Sequence, residues 1–214
     1  MRSTDVIIWD WNGTLLDDLW LALEIANGML ARRGLPTMSA DRYRDIFDFP
    51  VERYYRIAGF DFDREPFPVL ADEFISEFNR RLPECRLRDR AVETLETLRG
   101  AGVRQMILSA SRKESLVTGV DHYGVTGFFE ALHGLDDHFA VSKADLARTV
   151  ADSLAVERER VVMVGDTLHD VAVAEAMGIR CVLVGGGHQS EKRLQAAGVP
   201  VFTGIDAVLS LLAG

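Results

Sequence analysis

The chain has 214 residues, 48% hydrophobic and 27% charged, enough for one large domain or two small ones around a real core. A net charge of -9 and a pI near 5.1 argue against nucleic acid or an anionic membrane as a partner, since either needs a basic surface; a local basic pocket stays open. Cys85 and Cys181 lie far apart with no Cys-x-x-Cys spacing, which points to buried thiols in a reducing, cytoplasmic compartment; residues 1–5 are too short and polar for a signal peptide, and no apolar run approaches the roughly 18 residues of a membrane span.

The first element is an apolar run, Val6-Ile7-Ile8-Trp9, followed by Asp10-Trp11-Asn12-Gly13-Thr14-Leu15. It reads as a buried parallel strand that delivers a carboxylate to a sheet edge. There the charge of Asp10 costs desolvation energy unless hydrogen bonds or a cation meet it, although capping of the turn is the plainer alternative for Asp10 alone. Beyond Leu16, apolar residues from Leu19 to Leu30 recur near helical spacing until Gly34 and Pro36 stop the run. Ser39 or Asp41 caps a second short helix through Ile46, ahead of Asp48-Phe49-Pro50 and an aromatic-basic patch, Arg53-Tyr54-Tyr55-Arg56. A turn at 59–63 precedes a helix opened by Pro66, with Phe67, Leu70, Phe74, Ile75 and Phe78 on one face. No strand is expected between residues 16 and 82.

From Asp89 the pattern alternates: a helix over 91–100, a strand over 103–109, a helix after Lys113 and a loop region through His138. A helix over about 143–154, a strand over 161–165, a helix over 171–177, a strand over 181–184 and a short strand at Val201-Phe202 complete the chain. This is an α/β pattern, a Rossmann-like parallel sheet with helices on both faces, and ligands in such sheets bind beyond the carboxyl ends of the strands. An all-helical insert directly after the first strand would hang over that end. The expected division is therefore a core of residues 1–15 and 83–214 and a small helical cap of residues 16–82.

Three strand ends carry polar groups of a distinct kind. Asp10 ends the first; Ser109, followed by Ala110, Ser111, Arg112 and Lys113, ends the second; Gly165-Asp166-Thr167-Leu168-His169-Asp170 ends the third. Lys143 stands between the latter two at a helix start. Three carboxylates and a lysine converging on one edge suit a hard divalent cation and a phosphate. Taken alone, Asp166 and Asp170 could be a helix N-terminal charge cluster, and Lys143 a helix-surface lysine.

In the order of these four motifs and the place of the helical insert, the chain resembles the haloacid dehalogenase superfamily, in the branch whose cap follows the first strand and with the phosphoglycolate phosphatases nearest in cap type. The resemblance implies that Asp10 attacks phosphorus and becomes an aspartyl phosphate. It implies Mg2+ held by Asp10, the backbone carbonyl of Asn12 and Asp166, with Asp170 nearby, and a phosphate cradle of Ser109, Ala110 and Lys143. The substrate implied is a small phosphorylated metabolite, phosphoglycolate being the best guess, with Arg44 and Arg53 as candidates for a substrate carboxylate. The departure is Asn12, where phosphatases of this family carry an aspartate that protonates the leaving oxygen and later activates water. An amide has no proton to exchange at neutral pH, and losing a general acid/base costs about 100- to 10,000-fold. A phosphate-binding or phospho-accepting protein with impaired turnover therefore stands beside the phosphatase, with a sugar-phosphate mutase as a weaker third reading. Asp17 or His169 could substitute as a base; otherwise Asp17 and Asp18 read as hinge charges, His169 as a surface residue, and Gly185-Gly186-Gly187-His188 as a mobile turn or a phosphate cradle. Oligomeric state is not written in these motifs.

Overall fold

Val6–Trp9 (β1) is wholly buried, and its side chains alternate between two separate apolar layers, as a strand covered on both faces must. The computed structural model describes residues 4–135 and 143–213. After β1 come β2 (Leu16–Asp17), the helices α1 (Leu19–Arg32), α2 (Ala40–Ile46), α3 (Val51–Ala58) and α4 (Phe67–Arg81), and β3 (Arg86–Leu87). The chain then alternates through α5 (Ala91–Gly100), β4 (Arg104–Arg112), α6 (Lys113–His122), β5 (Ala131–Leu135), α7 (Lys143–Ser153), β6 (Val161–Gly165), α8 (Leu168–Met177), β7 (Arg180–Val184), α9 (Glu191–Gln195) and β8 (Val201–Phe202), and ends in a 3-10 helix, Ile205–Ala213.

The main sheet runs β5-β4-β1-β6-β7-β8 with every pair parallel, the Rossmann-like architecture expected. The order reverses at β1: the chain builds outward to β5 and then crosses to β6 on the far side. A crevice opens beyond the strand ends at such a switch point. Ile7, Trp9, Ile107, Val162, Val164 and Val182 face one layer, shared with α5, α6 and the terminal 3-10 helix. Val6, Ile8, Leu108, Val161, Met163 and Leu183 face the other, against α7, α8 and α9. The one polar atom of Trp9 is satisfied inside the core, its indole N–H donating to Gln105 Oε1 at 3.0 Å while Gln105 Nε2 donates to the Leu95 carbonyl at 3.0 Å.

Trp9 pairs with Ile107 and Val164, so the chain leaves the sheet at Asp10 beside the ends of both neighbours. It departs through β2 and returns through β3, which pair antiparallel. This ribbon corrects the expectation of no strand between residues 16 and 82, since a two-residue strand leaves no periodicity to read. Likewise β5 lies within the stretch expected as loop; its half-buried Ala-Leu-His-Gly-Leu lacks both alternation and a continuous apolar run. The rest of that stretch, residues 136–138, falls outside the described residues.

Among the four helices, Ser39 caps α2 by accepting from the Arg42 N–H at 3.2 Å. Arg33 at the end of α1 grips Glu65 with two hydrogen bonds of 2.6 and 2.7 Å and Glu73 of α4 with a third of 2.6 Å. Of the apolar face expected on α4, only Leu70 is fully buried; Phe67, Phe74, Ile75 and Phe78 are half-buried because they border a cavity.

Candidate active site

Asp10, Asp166 and Asp170 are buried, and each offers a carboxylate oxygen within 4.8 Å of the others. The start of α7 projects Lys143 into this cluster, where its ammonium is hydrogen-bonded to Asp10 Oδ1 and, at 2.7 Å, to Asp170 Oδ1. Asp166 is fixed by the Thr14 hydroxyl at 3.0 Å and the His188 N–H at 2.6 Å. Asp170 accepts from the Thr167 N–H at 3.1 Å and the Thr167 hydroxyl at 2.7 Å, bonds across the first turn that start α8 earlier than periodicity alone indicates. Ser109, expected to end its strand, is buried within β4, which continues to Arg112 with an irregular register past Leu108; its Oγ accepts from the Ser111 N–H at 3.1 Å, and half-buried Ala110 lines the same cavity.

Glycine makes this crowding possible. Gly13 sits at φ +74°, and a Cβ there would run into Asp166 Oδ2 and the His188 ring. Gly13→Ala is therefore expected to destabilise the fold by about 1–3 kcal/mol from the backbone conformation alone, more with the clash, and to disturb Asp166. Denaturant unfolding checks it: a variant as stable as the parent would contradict the geometry.

Three ionised carboxylates against one ammonium would leave two negative charges uncompensated among buried side chains. Burial pushes Asp10 up to about 8 despite the opposing charge of Lys143, with Asp170 and Asp166 adding to the rise. Burial likewise lifts Asp166 to about 6. Asp170 moves the other way, because against burial Lys143 holds it below the usual carboxylate range. For Lys143, burial pulls down, but its two carboxylate partners outweigh that and raise it. Oxygen donors alone, an unmet double negative charge and carboxyls that resist ionisation fit a hard divalent cation. The sign of the metal-free pH dependence follows. Folded Asp10 and Asp166 keep protons that the unfolded chain releases above pH about 4, so stability present at low pH is lost as pH rises through about 6 and about 8. His188, held at about 9 by Asp18 against its burial, adds a loss between about 6.5 and 9. In chelator, Tm is expected to fall from pH about 5.5 to about 8.5, and Mg2+ to restore more at the higher pH; a Tm that rises with pH would count against this electrostatic account.

Asn12 is clamped. Its Nδ2 donates to Asp18 Oδ2 at 2.8 Å and its Oδ1 accepts from the Ser111 hydroxyl at 2.7 Å. Asp18 also accepts from the Gly13 N–H at 2.7 Å and lies 3.1 Å from His188 Nε2, whose Nδ1 is 2.9 Å from the Tyr43 hydroxyl on α2. Asp18, unlike exposed Asp17, is thus a buried anchor rather than a solvated hinge charge. The glycine-rich stretch is no free turn either: Gly187 has no room for a Cβ against Asp166, and His188 ties the strand end to α2. Arg88 adds a further tie, donating to the Gly13 carbonyl at 2.8 Å and the Gly185 carbonyl at 2.7 Å. Asp18, His188, Tyr43 and Arg88 were not readable as site residues, since their partners are spread across the chain.

Arg44 and Arg53 are not among the residues lining the cavity. Arg44 Nε donates to the Gly187 carbonyl at 3.2 Å, and Arg53 is exposed on α3 because Tyr54 and Tyr55 occupy that helix's buried face. His169 is no surface residue. It is half-buried, lines the cavity and stacks on Phe49 with ring centroids 4.3 Å apart, and burial lowers its pKa.

Residues 7–184 match the family described as haloacid dehalogenase-like hydrolase. A phosphoglycolate phosphatase of Caulobacter vibrioides is 30% identical over 194 residues, which cover 86% of this chain and 81% of that protein. A 5'-nucleotidase of Pseudomonas aeruginosa is 28% identical over 197 residues, covering 89% and 86%. In fold, a haloacid dehalogenase-like family protein from Streptococcus pneumoniae matches with a TM-score of 0.84 over 98% of this chain and 99% of its own, at 20% identity.

Proposed function

The chain belongs to the haloacid dehalogenase-like hydrolases, and from that premise we propose that it hydrolyses a small phosphomonoester through an aspartyl phosphate on Asp10. The observation that carries this reading is the hydrogen bond of Lys143 to Asp10 within a cluster of three buried carboxylates. Residues 1–15 and 83–214 act as the catalytic core and residues 16–82 as a cap, joined by the β2–β3 ribbon. No helix among the described residues is long and apolar enough to cross a membrane.

An Asp10 oxygen attacks phosphorus, the phosphorus–ester oxygen bond breaks, and its electron pair leaves with the alcohol oxygen, which takes a proton from solvent; water then attacks the phosphorus of the aspartyl phosphate, the bond to the Asp10 oxygen breaks with its electron pair returning to Asp10, and the water's proton passes to solvent. Lys143, the Ser109 hydroxyl and the Ala110 N–H hold the non-bridging oxygens, so the protein's share is positioning and charge. Mg2+ would be held by Asp10, Asp166, the Asn12 carbonyl and, close by, Asp170, and when bound it supplies the charge that lets nucleophile and phosphate approach. Activity on a panel of small phosphomonoesters in Mg2+ tests the reading. Excess chelator is expected to abolish turnover, and Asp166→Ala to weaken Mg2+ binding more than folding; full activity in chelator would rule the metal role out.

Asn12 favours a second reading, a phospho-accepting protein whose turnover is impaired, because both ends of its amide are already engaged. Hydrolysis of none of the panel, with a phosphorylated protein recovered, would select it. A phosphoglycolate-type substrate rests on the relative from Caulobacter vibrioides.

A further inference from the structure

The carboxylate cluster forms the floor of a cavity of about 800 Å³ that extends up between α3 and α4. That volume lies within the roughly 300–1,000 Å³ of sites that enclose a drug-sized ligand. Its upper wall is apolar and largely aromatic: Phe47, Phe49, Tyr54, Phe74, Ile75 and Phe78. All but Tyr54 are only half-buried, so their ring and branch surfaces remain open to the cavity. The charges above the floor are negative, Glu52 and Asp72, both exposed on α3 and α4. Among the described lining residues the only lysine or arginine besides Lys143 is Arg112, exposed at the end of β4, an element of the core rather than of α3 or α4.

We propose that this chamber receives the leaving alcohol, so that the substrate is the phosphate monoester of an uncharged alcohol bearing an aromatic ring. A negatively charged leaving group long enough to reach that wall would meet aromatic and aliphatic side chains with the carboxylates of Glu52 and Asp72 beside them, which costs desolvation without a partner. A ring instead covers the exposed faces of Phe74 and Phe78 and of the Phe49–His169 stack. The inference rests on the phosphomonoesterase reading above and adds its substrate class.

The test compares 2-phenylethyl phosphate with ethyl phosphate, whose leaving alcohols are alike in basicity, and with phosphoglycolate, all in Mg2+. The 2-phenylethyl ester is expected to show a kcat/KM at least about tenfold above both others, and Phe74→Ala to remove most of that preference through KM while ethyl phosphate turnover stays within about twofold. Should Phe74→Ala fail to fold, Phe74→Leu, which keeps bulk but loses the ring, is read in the same way. Equal kcat/KM values, a preference for phosphoglycolate, or a preference that survives loss of the Phe74 ring would overturn the inference while leaving the hydrolysis intact. If none of these alkyl esters turns over, an activated aryl phosphate decides the hydrolysis reading separately, and binding decides the chamber: 2-phenylethylphosphonate should bind at least about tenfold more tightly than ethylphosphonate, and equal binding would overturn the assignment.

Discussion

Asp10→Asn is expected to lower phosphomonoester turnover by at least about 10,000-fold, with the fold retained. The substitution keeps the shape of the side chain at the end of β1 but replaces the attacking oxygen with an amide. No neighbour can replace it: Asp166 is held by Thr14 and His188, and Asp170 by Thr167 and Lys143. Removing one of three crowded carboxylates also relieves mutual repulsion, so in chelator Asp10→Asn should unfold at a temperature equal to or above the parent's. That separates a chemical role from a structural one. More than a few per cent of parental turnover would eliminate Asp10 as the nucleophile.

Asn12→Asp is expected to accelerate turnover of alkyl phosphates by about 100-fold, the scale of general acid/base catalysis. The physical reason lies in what Asn12 touches. Its amide nitrogen is 2.8 Å from an Asp18 oxygen, so the new carboxylate would face another at hydrogen-bond distance. Two carboxylates that close share a proton, which holds an acid near the leaving oxygen at neutral pH, and His188 beside Asp18 limits the cost. In the parent, the first half-reaction should proceed best with an activated aryl phosphate, whose alcohol departs without a proton, and the aspartyl phosphate should persist for want of a base. In Asn12→Asp it should not accumulate. If the parent already turns over alkyl phosphates quickly and the aspartate brings no gain, another residue supplies the proton.

Asp10, Lys143, Asp166 and Asp170 were legible as a group because each stands at a strand end or helix start, and Ser109 because it follows the apolar run of β4; the parallel topology brings them to one edge of the sheet. The clamp around Asn12 was not legible. It joins residues 12, 18, 43, 111 and 188 through single hydrogen bonds with no shared motif, and His188 was hidden behind glycines that read as a loose turn. The chamber misled for a different reason. The apolar spacing on α4 is the same whether a face packs into a core or lines a cavity, and in the aromatic-basic patch it is Tyr54 and Tyr55, not the arginines, that line the cavity. The two residues of β2, Leu16–Asp17, show no period, and the five of β5 neither alternate nor form a continuous apolar run as those of β6 and β7 do.

The central claim is that phosphoryl groups pass through Asp10, and peptide mapping by mass spectrometry tests it most directly on protein quenched in acid after brief incubation with an activated aryl phosphate and Mg2+. One added phosphoryl group is expected, located on Asp10, present in the parent and missing from Asp10→Asn. Release of phosphate with no adduct on Asp10, or an adduct that persists in Asp10→Asn, would contradict it.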